Sequence, residues 1–377
     1  MTNCALVDTY PQLPVEFVSG AGSRLRARDG REFWDFYGGH AVAGIGHSHP
    51  AIARAIHEQA LTLTFYSNVV PLEIRTRAAQ RLCAFAPPGL EHVFFCNSGA
   101  EANENALKIA LQQTGRRRVA GLRGGWHGRT LLCLSATDDP KLTTPMAGLL
   151  CDSVRIEPNS LDDLSRLDDT IAAIIVEPIQ SIAGIVELRP EFLAALRERC
   201  DAIGAMLIYD EVQTGMGRLG RPLAAGDAGV LPEMATLAKG IANGIPMAAV
   251  LMNDGVAGRV KQNDLGSTFG GGPVACAAML AVLDIIEGER LVERAAELGR
   301  RMQTQLRVDP VRGVRGRGCL IGLELDRPAK EVQQHLLASG FVTGTSADPR
   351  VMRLMPPLNM PFEAVDELAR ELAGFSR

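Results

Sequence analysis

Short apolar runs alternate with helical patterns through the middle of the chain. Continuous apolar runs of this length are typical of strands that are covered on both faces. Five runs predict strands: "HVFFC" (92–96), "RVAGL" (118–122), "LLCLSA" (131–136), "AAIIVE" (172–177) and "AMLIYD" (205–210). Helical spacing predicts helices at "AEANENALKIALQQ" (100–113) and "PEFLAALRERCDAIG" (190–204). Strand–helix–strand alternation predicts an α/β fold with a mostly parallel, doubly wound sheet.

The two ends of the chain have a different pattern. "SRLRARDGREFWDF" (23–36) predicts a hairpin that turns at Asp29 and Gly30. A long helical stretch begins at about 274, and "GCLIGLELD" (318–326) predicts a strand. We therefore expect a large α/β domain at 46–270 and a smaller α+β domain built from 1–45 and 271–377.

Composition narrows the class of protein. The 377 residues are 46% hydrophobic, with a net charge of −4 and a pI near 6.0, which favours a globular chain and argues against nucleic-acid binding. No apolar run approaches the ~20 residues of a membrane span, and the first residues lack the pattern of a signal peptide. Eight cysteines are scattered singly without CxxC, which argues against zinc and disulfides. We expect a cytoplasmic protein without a metal site.

The segment "IYDEVQTGMGRLGRP" (208–222) contains the spacing of a dinucleotide-binding fingerprint at Gly215, Gly217 and Gly220. Such a site requires the glycine turn to open a helix whose amino end faces the pyrophosphate. Here Pro222 follows closely, and two acids precede the glycines where they would repel the ligand. A nicotinamide-dependent dehydrogenase therefore remains only as an alternative.

Asp210 and Lys239 favour different chemistry. Asp210 ends a predicted buried strand, where α/β sheets bind ligands, and Lys239 ends a second short apolar run in "LAKGIANG" (237–244). Burial lowers the pKa of a lysine and makes its amine nucleophilic. Pyridoxal phosphate (PLP) needs both groups, because a carboxylate keeps its pyridine nitrogen protonated and a lysine holds its aldehyde as a Schiff base.

A phosphate anchor is predicted by "CNSGAEANENALK" (96–108). A strand ends at Cys96, and Ser98, Gly99 and Ala100 open a helix whose free N–H groups suit a dianion. Glycine allows close approach of the backbone. An ordinary serine cap of the helix is the alternative.

Together these residues form a recognisable pattern. The chain resembles the class-III, fold-type-I, PLP-dependent aminotransferases, specifically the acetylornithine aminotransferase group. The matching segments run in order from 94 to 359: "FFCNSGAEANENALKIA", "WHGRT", "VEPIQ", "DEVQTGMGRLG", "LAKGIANGIPMAAV", "GSTFGGGPVACAAMLAVLDII" and "RLMPPLN". The resemblance implies the PLP-dependent transferase fold and an active homodimer with shared sites.

The resemblance also implies roles for individual residues. Lys239 would hold PLP covalently, Asp210 would pair with the pyridine nitrogen and Gln213 would bind the phenolic oxygen. Trp126 and Val212 would contact the two faces of the cofactor ring, and the backbone N–H groups of Gly99 and Ala100 would bind its phosphate. Ser267 and Thr268 would come from the partner subunit, and Thr268 would also bind the phosphate. His127, beside the cofactor, is expected to be structural.

Two arginines are implied as carboxylate ligands. Arg129 in "WHGRT" offers a planar pair of donors, and Arg353 in "RLMPPLN" is a second such group. Two arginines fit a dicarboxylate such as 2-oxoglutarate. Many relatives carry a glutamate that masks the second arginine, but Ile182 stands at that place here. Either another acid partners Arg353, or Arg353 stays unmasked in both half-reactions.

The expected reaction is a ping-pong transamination. The terminal amine of an N2-acylornithine, in arginine or lysine biosynthesis, would pass to 2-oxoglutarate and leave a semialdehyde and glutamate. The acyl group is left open between acetyl, succinyl and a carrier protein. The alternatives are an aminotransferase for ornithine or 4-aminobutyrate and an aminomutase of the same fold.

Overall fold

The computed structural model describes residues 5–375, with a seven-stranded sheet at its centre. Across the sheet the strands lie in the order His92–Cys96, Ala248–Met252, Met234–Leu237, Met206–Asp210, Ile171–Val176, Arg118–Leu122 and Ser153–Ile156. Strand Ala248–Met252 is antiparallel to both of its neighbours, and the other pairings are parallel. The predicted mostly parallel sheet is confirmed.

Strand Ile171–Val176 shows why this sheet forms. All six of its residues are buried, as a strand with both faces covered requires. Ala173 and Ile175 pack in one apolar cluster with helix Gly99–Thr114, whereas Ile174 and Val176 pack in another with helix Pro190–Ile203. Helices therefore cover both faces of the sheet, as the doubly wound arrangement predicts.

Helices surround the sheets. The α-helices and helical turns are Gly38–Ala41, Pro50–Thr62, Glu73–Phe85, Gly99–Thr114, Leu131–Ala136, Pro140–Thr143, Pro190–Ile203, Asp254–Ala257, Pro273–Gly288, Leu291–Gln305, Ala329–Ala338 and Phe362–Phe375. Short 3₁₀ helices lie at Thr144–Leu149, Asp162–Arg166, Asp227–Gly229 and Lys239–Ala242. Helix Pro273–Gly288 is buried along most of its length and packs against Pro50–Thr62 and Glu73–Phe85.

Smaller sheets accompany the central one, and the first of them joins the two ends of the chain. One contains Phe17–Ala21, Arg24–Ala27, Glu32–Asp35 and Phe341–Val342; another contains Val311–Arg317, Leu320–Leu325, Val351–Leu354 and Gly344–Thr345; a third pairs Ile179–Gln180 with Val186–Glu187. The first includes the predicted hairpin and receives Phe341–Val342 as a parallel strand beside Glu32–Asp35. Segments about 300 residues apart in sequence thus share one sheet.

One predicted strand is wrong. "LLCLSA" forms helix Leu131–Ala136. The carboxylate of Glu104, on the neighbouring helix, accepts hydrogen bonds from the backbone N–H groups of Leu132 and Cys133 and from the Thr130 hydroxyl. This contact satisfies N–H groups that the first turn of a helix leaves free. A short apolar run does not distinguish a buried helix from a strand.

Across residues 5–375, no helix combines the length and apolar composition that crossing a bilayer requires.

Candidate active site

Asp210 and Lys239 lie at the same edge of the central sheet. Asp210 ends strand Met206–Asp210, and Lys239 follows the neighbouring parallel strand Met234–Leu237, in which Thr236 is opposite Asp210. Ligands of open α/β sheets bind outside the carboxyl ends of the strands. A cavity of about 680 Å³ opens at this edge, and we call it the central cavity.

Most of the predicted site residues surround the central cavity. They are Gly99, Ala100, Trp126, Arg129, Asp210, Val212, Gln213 and Lys239. Ser267, Thr268 and Arg353 are not part of its wall. The structure therefore brings together eight side chains and backbone segments that are spread over 140 positions of sequence.

Lys239 is held in an unusual position. Its φ of 47° lies in the left-handed region, which a non-glycine residue occupies at a cost and which marks functional sites. Burial lowers the pKa of its amine, while the charges of Asp210 and Glu177 oppose that shift. Within residues 5–375, the Nζ atom makes no hydrogen bond or ion pair. An amine in these surroundings is suited to nucleophilic attack and proton transfer.

Asp210 is fixed by three donors. Its Oδ2 accepts from Asn103 Nδ2 at 2.7 Å and from His127 Nδ1 at 2.8 Å, and its Oδ1 accepts from Val212 N at 3.1 Å. Thr236 Oγ1 in turn donates to Asn103 Oδ1 at 2.6 Å. Hydrogen bonds to a carboxylate stabilise its charged form. These contacts fix the orientation of the Asp210 carboxylate at the cavity.

His127 contacts Asp210 directly, and its structural role stays a prediction. Its imidazole is fully buried, and Nδ1 contacts the carboxylate that faces the central cavity. Within the described chain, Nε2 has no partner. The tautomer with its proton on Nδ1 fits both observations. Neither this contact nor that of Asn103 could be read from the sequence, because the pairs lie 83 and 107 positions apart.

Glu177 is a second buried acid on the central cavity that sequence analysis did not assign. Its two oxygens accept from Trp126 N at 2.9 Å and from Ser181 N at 3.2 Å. Burial raises the pKa of its carboxyl, and the charge of Asp210 adds to that shift. Glu177 therefore ties the Trp126 wall of the cavity to the loop that carries Ser181.

The predicted phosphate anchor is a helix start. Ser98 caps helix Gly99–Thr114 by accepting from Glu101 N, and Gly99 and Ala100 expose the first turn to the central cavity. A Cβ at Gly99 would lie 2.8 Å from Val212 Cγ1, closer than side chains pack. Glycine is thus needed here for Val212 to reach the cavity, and the free N–H groups of the first turn suit an anion.

Trp126, Val212 and Gln213 form the other walls. Trp126 and Val212 both border the central cavity, as expected of residues that flank a planar ring. Gln213 Nε2 donates to the His40 carbonyl oxygen at 3.2 Å. The glycines after Gln213 continue as turns, with φ of 83° at Gly217. No helix opens at these glycines, so the requirement for a dinucleotide site is not met.

The two arginines differ in their surroundings. Arg129 is exposed and lies 5.5 Å from the Trp126 ring and 5.7 Å from the Tyr10 ring. Arg353 is buried, and it donates from Nε to Thr345 O at 2.7 Å and from Nη1 to Ser181 Oγ at 2.9 Å. Among residues 5–375, no carboxylate lies within ion-pairing distance of either guanidinium. Burial lowers the pKa of Arg353.

Ser267 and Thr268 lie outside the central cavity of their own chain. Ser267 Oγ accepts from Asn97 Nδ2 at 3.1 Å, and Thr268 is exposed. Next to them, Phe269 is 66% exposed and its ring lies 5.4 Å from that of Phe65. The loop thus presents a hydroxyl and an apolar side chain to the outside.

Comparison with known proteins decides the family. Residues 7–374 match the family described as Aminotransferase class-III. The chain belongs to the class-III aminotransferases. Its fold is accordingly the fold type I of PLP-dependent transaminases, and the activity and cofactor expected from the sequence, transamination with PLP, are confirmed.

Curated class-III relatives match over nearly the whole chain. An acetylornithine aminotransferase of Methanopyrus kandleri is 40% identical over 98% of this chain and 96% of that protein. One of Streptomyces coelicolor is 41% identical over 98% of this chain and 92% of that protein. At this coverage the alignment includes all the segments that carry the site.

Solved class-III structures superpose closely. The ornithine aminotransferase of Toxoplasma gondii ME49 has a TM-score of 0.92 and 29% identity, over 98% of this chain and 92% of that one. An amine transaminase from an uncultivated Pseudomonas species, in its PLP-bound form, has a TM-score of 0.89 and 29% identity, over 100% of this chain and 98% of that one. An ornithine aminotransferase and an amine transaminase thus share this architecture.

The residues present fit PLP as the cofactor of this aminotransferase. The start of helix Gly99–Thr114 suits its phosphate, the anionic Asp210 suits a protonated pyridine nitrogen, and Lys239 has an amine without a partner in the described chain. When bound, PLP supplies an electron sink for the carbon that loses a proton.

Proposed function

We propose that this aminotransferase moves the terminal amine of an N2-acylornithine to 2-oxoglutarate, a reaction of arginine biosynthesis. The observation that carries the proposal is the placement of Arg129, which has no ion-pair partner within residues 5–375, on the same cavity as Lys239 and Asp210. In that arrangement Arg129 can bind a carboxylate of the donor while the donor's terminal amine reacts at Lys239. The acetylornithine aminotransferases of M. kandleri and S. coelicolor, at 40% and 41% identity, support the choice of donor.

Each wall of the central cavity has a task in this reaction. Lys239 would hold the cofactor and would take up a proton at Nζ, because its lowered pKa favours the neutral amine. Asp210 holds a proton on the pyridine nitrogen by its fixed negative charge. Gly99, Ala100 and the partner subunit's Thr268 hold the phosphate, Trp126 and Val212 flank the ring, and Gln213 binds its phenolic oxygen.

Arg129 and Arg353 are proposed to bind carboxylates, with Ser267 at the edge of the substrate site. A guanidinium presents two parallel donors to a carboxylate, so an arginine fixes the orientation of an acid as well as its charge. Ser181 and Thr345 occupy two donors of Arg353, and Ile182 on the cavity wall offers no acid to neutralise it. Of the two possibilities left by the sequence, we therefore favour an Arg353 that stays unmasked in both half-reactions.

We further propose that the working unit is a homodimer with shared active sites. Large apolar side chains are exposed together on segment 61–70 and at Phe269. They include Leu61 at 77% and Val69 at 84% exposure, and Asn68 Nδ2 donates to Ser267 O at 3.0 Å. An exposed apolar patch of this kind marks a protein interface. Its burial against a second copy would bring Ser267 and Thr268 to the partner's central cavity.

An assay panel tests the proposed donor. Purified enzyme is incubated with 2-oxoglutarate and, in turn, acetylornithine, succinylornithine, ornithine and 4-aminobutyrate, and glutamate is measured. We expect the N2-acylornithines to have the highest kcat/KM and a Lys239→Ala variant to be inactive with all donors. If only ornithine or only 4-aminobutyrate reacted, the proposed donor would be wrong, although the family assignment would stand.

A further inference from the structure

A second cavity adjoins the central one. Its volume is about 960 Å³, and we call it the distal cavity. It lies between the N-terminal segment 10–15 and helix Ala329–Ala338, and strand Gly344–Thr345 closes one side. Pockets of 300–1,000 Å³ are the usual size of small-molecule sites. None of the roles proposed above uses this space.

The two cavities share part of their walls. Tyr10 and His40 belong to the walls of both. The Tyr37 hydroxyl lies 2.6 Å from His40 Nδ1 and fixes the imidazole at this boundary. Burial lowers the pKa of the His40 imidazole, and the charges of Arg353 and Lys239 add to that shift. A long substrate whose amine reacts at Lys239 would have to pass His40 to reach the distal cavity.

The charged side chains that line the distal cavity are cationic. Among the described residues that line it, none is an aspartate or a glutamate. Two cations line it, and Arg31 already pairs with Asp29 at 2.9 Å. Lys330 has no ion pair within residues 5–375. This balance fits an anionic ligand, because a positive field without opposing acids attracts negative groups.

Polar side chains on the wall of the distal cavity include a hydroxyl without a hydrogen-bond partner in the described chain. Thr343 is 2% exposed, and its Oγ1 has no hydrogen-bond partner within the described chain. Gln333 is fixed through Nε2, which donates to Thr343 O at 2.7 Å. A buried hydroxyl without a hydrogen-bond partner raises the free energy of the folded protein. The Thr343 hydroxyl beside the distal cavity therefore indicates a ligand group that donates a hydrogen bond to it or accepts one from it.

Arg129 gives the direction of a bound donor. Its guanidinium lies 5.7 Å from the Tyr10 ring, at the boundary of the two cavities. An N2-acylornithine carries its carboxylate and its acyl-nitrogen on the same carbon. If Arg129 binds that carboxylate, the acyl-nitrogen lies near Tyr10, a residue that lines both cavities.

We propose that the distal cavity receives the N-acyl group of the donor and selects acyl groups that end in a carboxylate, such as succinyl. The inference rests on the proposed function, because it requires an N2-acylated donor. Lys330 attracts the terminal carboxylate, and Thr343 and Gln333 offer polar contacts along the acyl chain. The size of the cavity admits longer dicarboxylic acyl groups as well.

Binding of unreactive analogues tests the proposal without turnover. N2-acylated norvaline lacks the terminal amine and cannot react. The holoenzyme is titrated calorimetrically with the succinyl, glutaryl, butyryl and acetyl derivatives of norvaline. Butyryl has the length of succinyl without its charge. We expect the succinyl and glutaryl derivatives to bind about two- to fivefold more tightly than butyryl, the effect of one ion pair with the exposed Lys330.

A charge-reversed variant locates the effect. Lys330→Glu should remove the preference for succinyl over butyryl and leave acetyl binding unchanged. The matched control is Lys261→Glu, on an exposed loop that lines neither cavity, and it should keep the preference for succinyl. Thr343→Val should weaken all long acyl groups about equally. Equal affinity for succinyl and butyryl in the wild type, or a preference that survives in Lys330→Glu, would overturn the inference.

The assay panel distinguishes a failure of the acyl-site proposal from a failure of the proposed function. If acetylornithine reacts but the charge of the acyl group has no effect on binding, the distal cavity is not the acyl site and the proposed function stands. If no N2-acylornithine reacts while ornithine or 4-aminobutyrate does, the proposed function itself is wrong.

Discussion

Asp210 is the residue whose environment most constrains the chemistry. It is a buried carboxylate that accepts three hydrogen bonds, two of them at Oδ2 from Asn103 and His127. Donors on a carboxylate keep it ionised, and the surrounding protein amplifies its charge because water is excluded. A fixed anion at this place is what a protonated pyridine requires, so its removal should affect turnover more than cofactor attachment.

Asp210→Asn tests this charge. The amide has nearly the same shape but no negative charge, so the pyridine nitrogen would lose its proton. We expect kcat to fall by at least about 100-fold, as when a preorganised charged or polar group is removed from an active site. Borohydride should still fix PLP on Lys239, as shown by mass spectrometry of the peptide. Turnover near that of the wild type would contradict the role of Asp210.

Sequence alone located Asp210 and Lys239 but not their supports. A polar residue that ends a buried strand is visible as a break in an apolar run, and parallel strands place such residues at one edge. The contacts of Asn103, His127 and Glu177 depend on how the helix and loops pack over that edge. No local pattern encodes those distances, although "VEPIQ" already marked Glu177 as part of a shared segment.

Among the elements, helix Gly99–Thr114 connects packing to ligand binding. Its first residue has no space for a side chain, because Val212 Cγ1 lies 2.8 Å from the position of a Cβ. A methyl group there would displace either the start of the helix or Val212. Both contact the central cavity, so the effect should appear in cofactor affinity.

Gly99→Ala should therefore weaken PLP binding. Overpacking of this kind typically costs 1–3 kcal/mol, so we expect the Kd for PLP to rise about tenfold in an absorbance titration of the apo-protein. Gly148→Ala is the matched control, since a Cβ at Gly148 meets nothing within 4 Å. Equal affinity in the two variants would show that the helix start tolerates a side chain and does not hold the phosphate closely.

The loop after Asp210 is organised by Glu211. Its carboxylate accepts from Ala224 N and Ala225 N, both at 2.7 Å, and from Thr214 Oγ1 at 3.1 Å. The glycine-rich segment between these residues is thus closed around a buried acid. The two acids that argued against a dinucleotide site have separate functions, because Asp210 faces the cavity and Glu211 holds the loop.

Glu211 gives the protein a specific pH dependence. Burial raises the pKa of its carboxyl from 4.5 to about 7, against the three hydrogen bonds that lower it. The folded state therefore binds a proton more tightly than the unfolded state, and wild-type stability falls as the pH rises through this window. The loss is on the order of 3 kcal/mol for a shift of this size.

Glu211→Gln should not show this loss, because its side chain stays neutral. The variant should be less stable than the wild type at pH 5, where it lacks one acceptor, and the difference should shrink as the pH approaches 8. Urea unfolding of both proteins across this range measures the change. Glu58→Gln, at an exposed position, should follow the wild type. A constant difference between Glu211→Gln and wild type would refute the proton uptake.

Elements were predicted best where periodicity and length agreed. Helix Pro190–Ile203 has a proline at its start and Gly204 at its C-cap, as the sequence indicated. Leu131–Ala136 was mistaken for a strand because its six residues show no period, and its helical state depends on the distant carboxylate of Glu104. Local sequence signals were therefore enough to predict the long helix, whereas the conformation of the short helix depends on a tertiary contact.

At the scale of the whole molecule, the two ends of the chain share one sheet. Strand Phe341–Val342 pairs with Glu32–Asp35, a contact that no local pattern contains. The sequence nevertheless indicated that the ends belong together, since both departed from the pattern of the middle. The exact division at 46–270 against 1–45 and 271–377 stays a prediction, and so does a cytoplasmic location.

The proposed sharing of active sites makes a prediction that only an assembly can satisfy. Lys239 acts in the cavity of its own chain, while Thr268 is exposed and lies outside that cavity. Thr268→Glu would place a carboxylate against the phosphate that the partner binds. In a mixed dimer of one Lys239→Ala chain and one Thr268→Glu chain, both changes fall on the same site, and the other site is intact.

Coexpression of the two variants with different tags should therefore restore activity. Random pairing makes half of the dimers mixed, each with one intact site of two, so about a quarter of the wild-type activity is expected in the mixture. Dimers purified through both tags should have about half, while each variant alone should be nearly inactive at limiting PLP. If Thr268 acted within its own chain, the mixed dimers would contain no intact site and would remain as inactive as the parents.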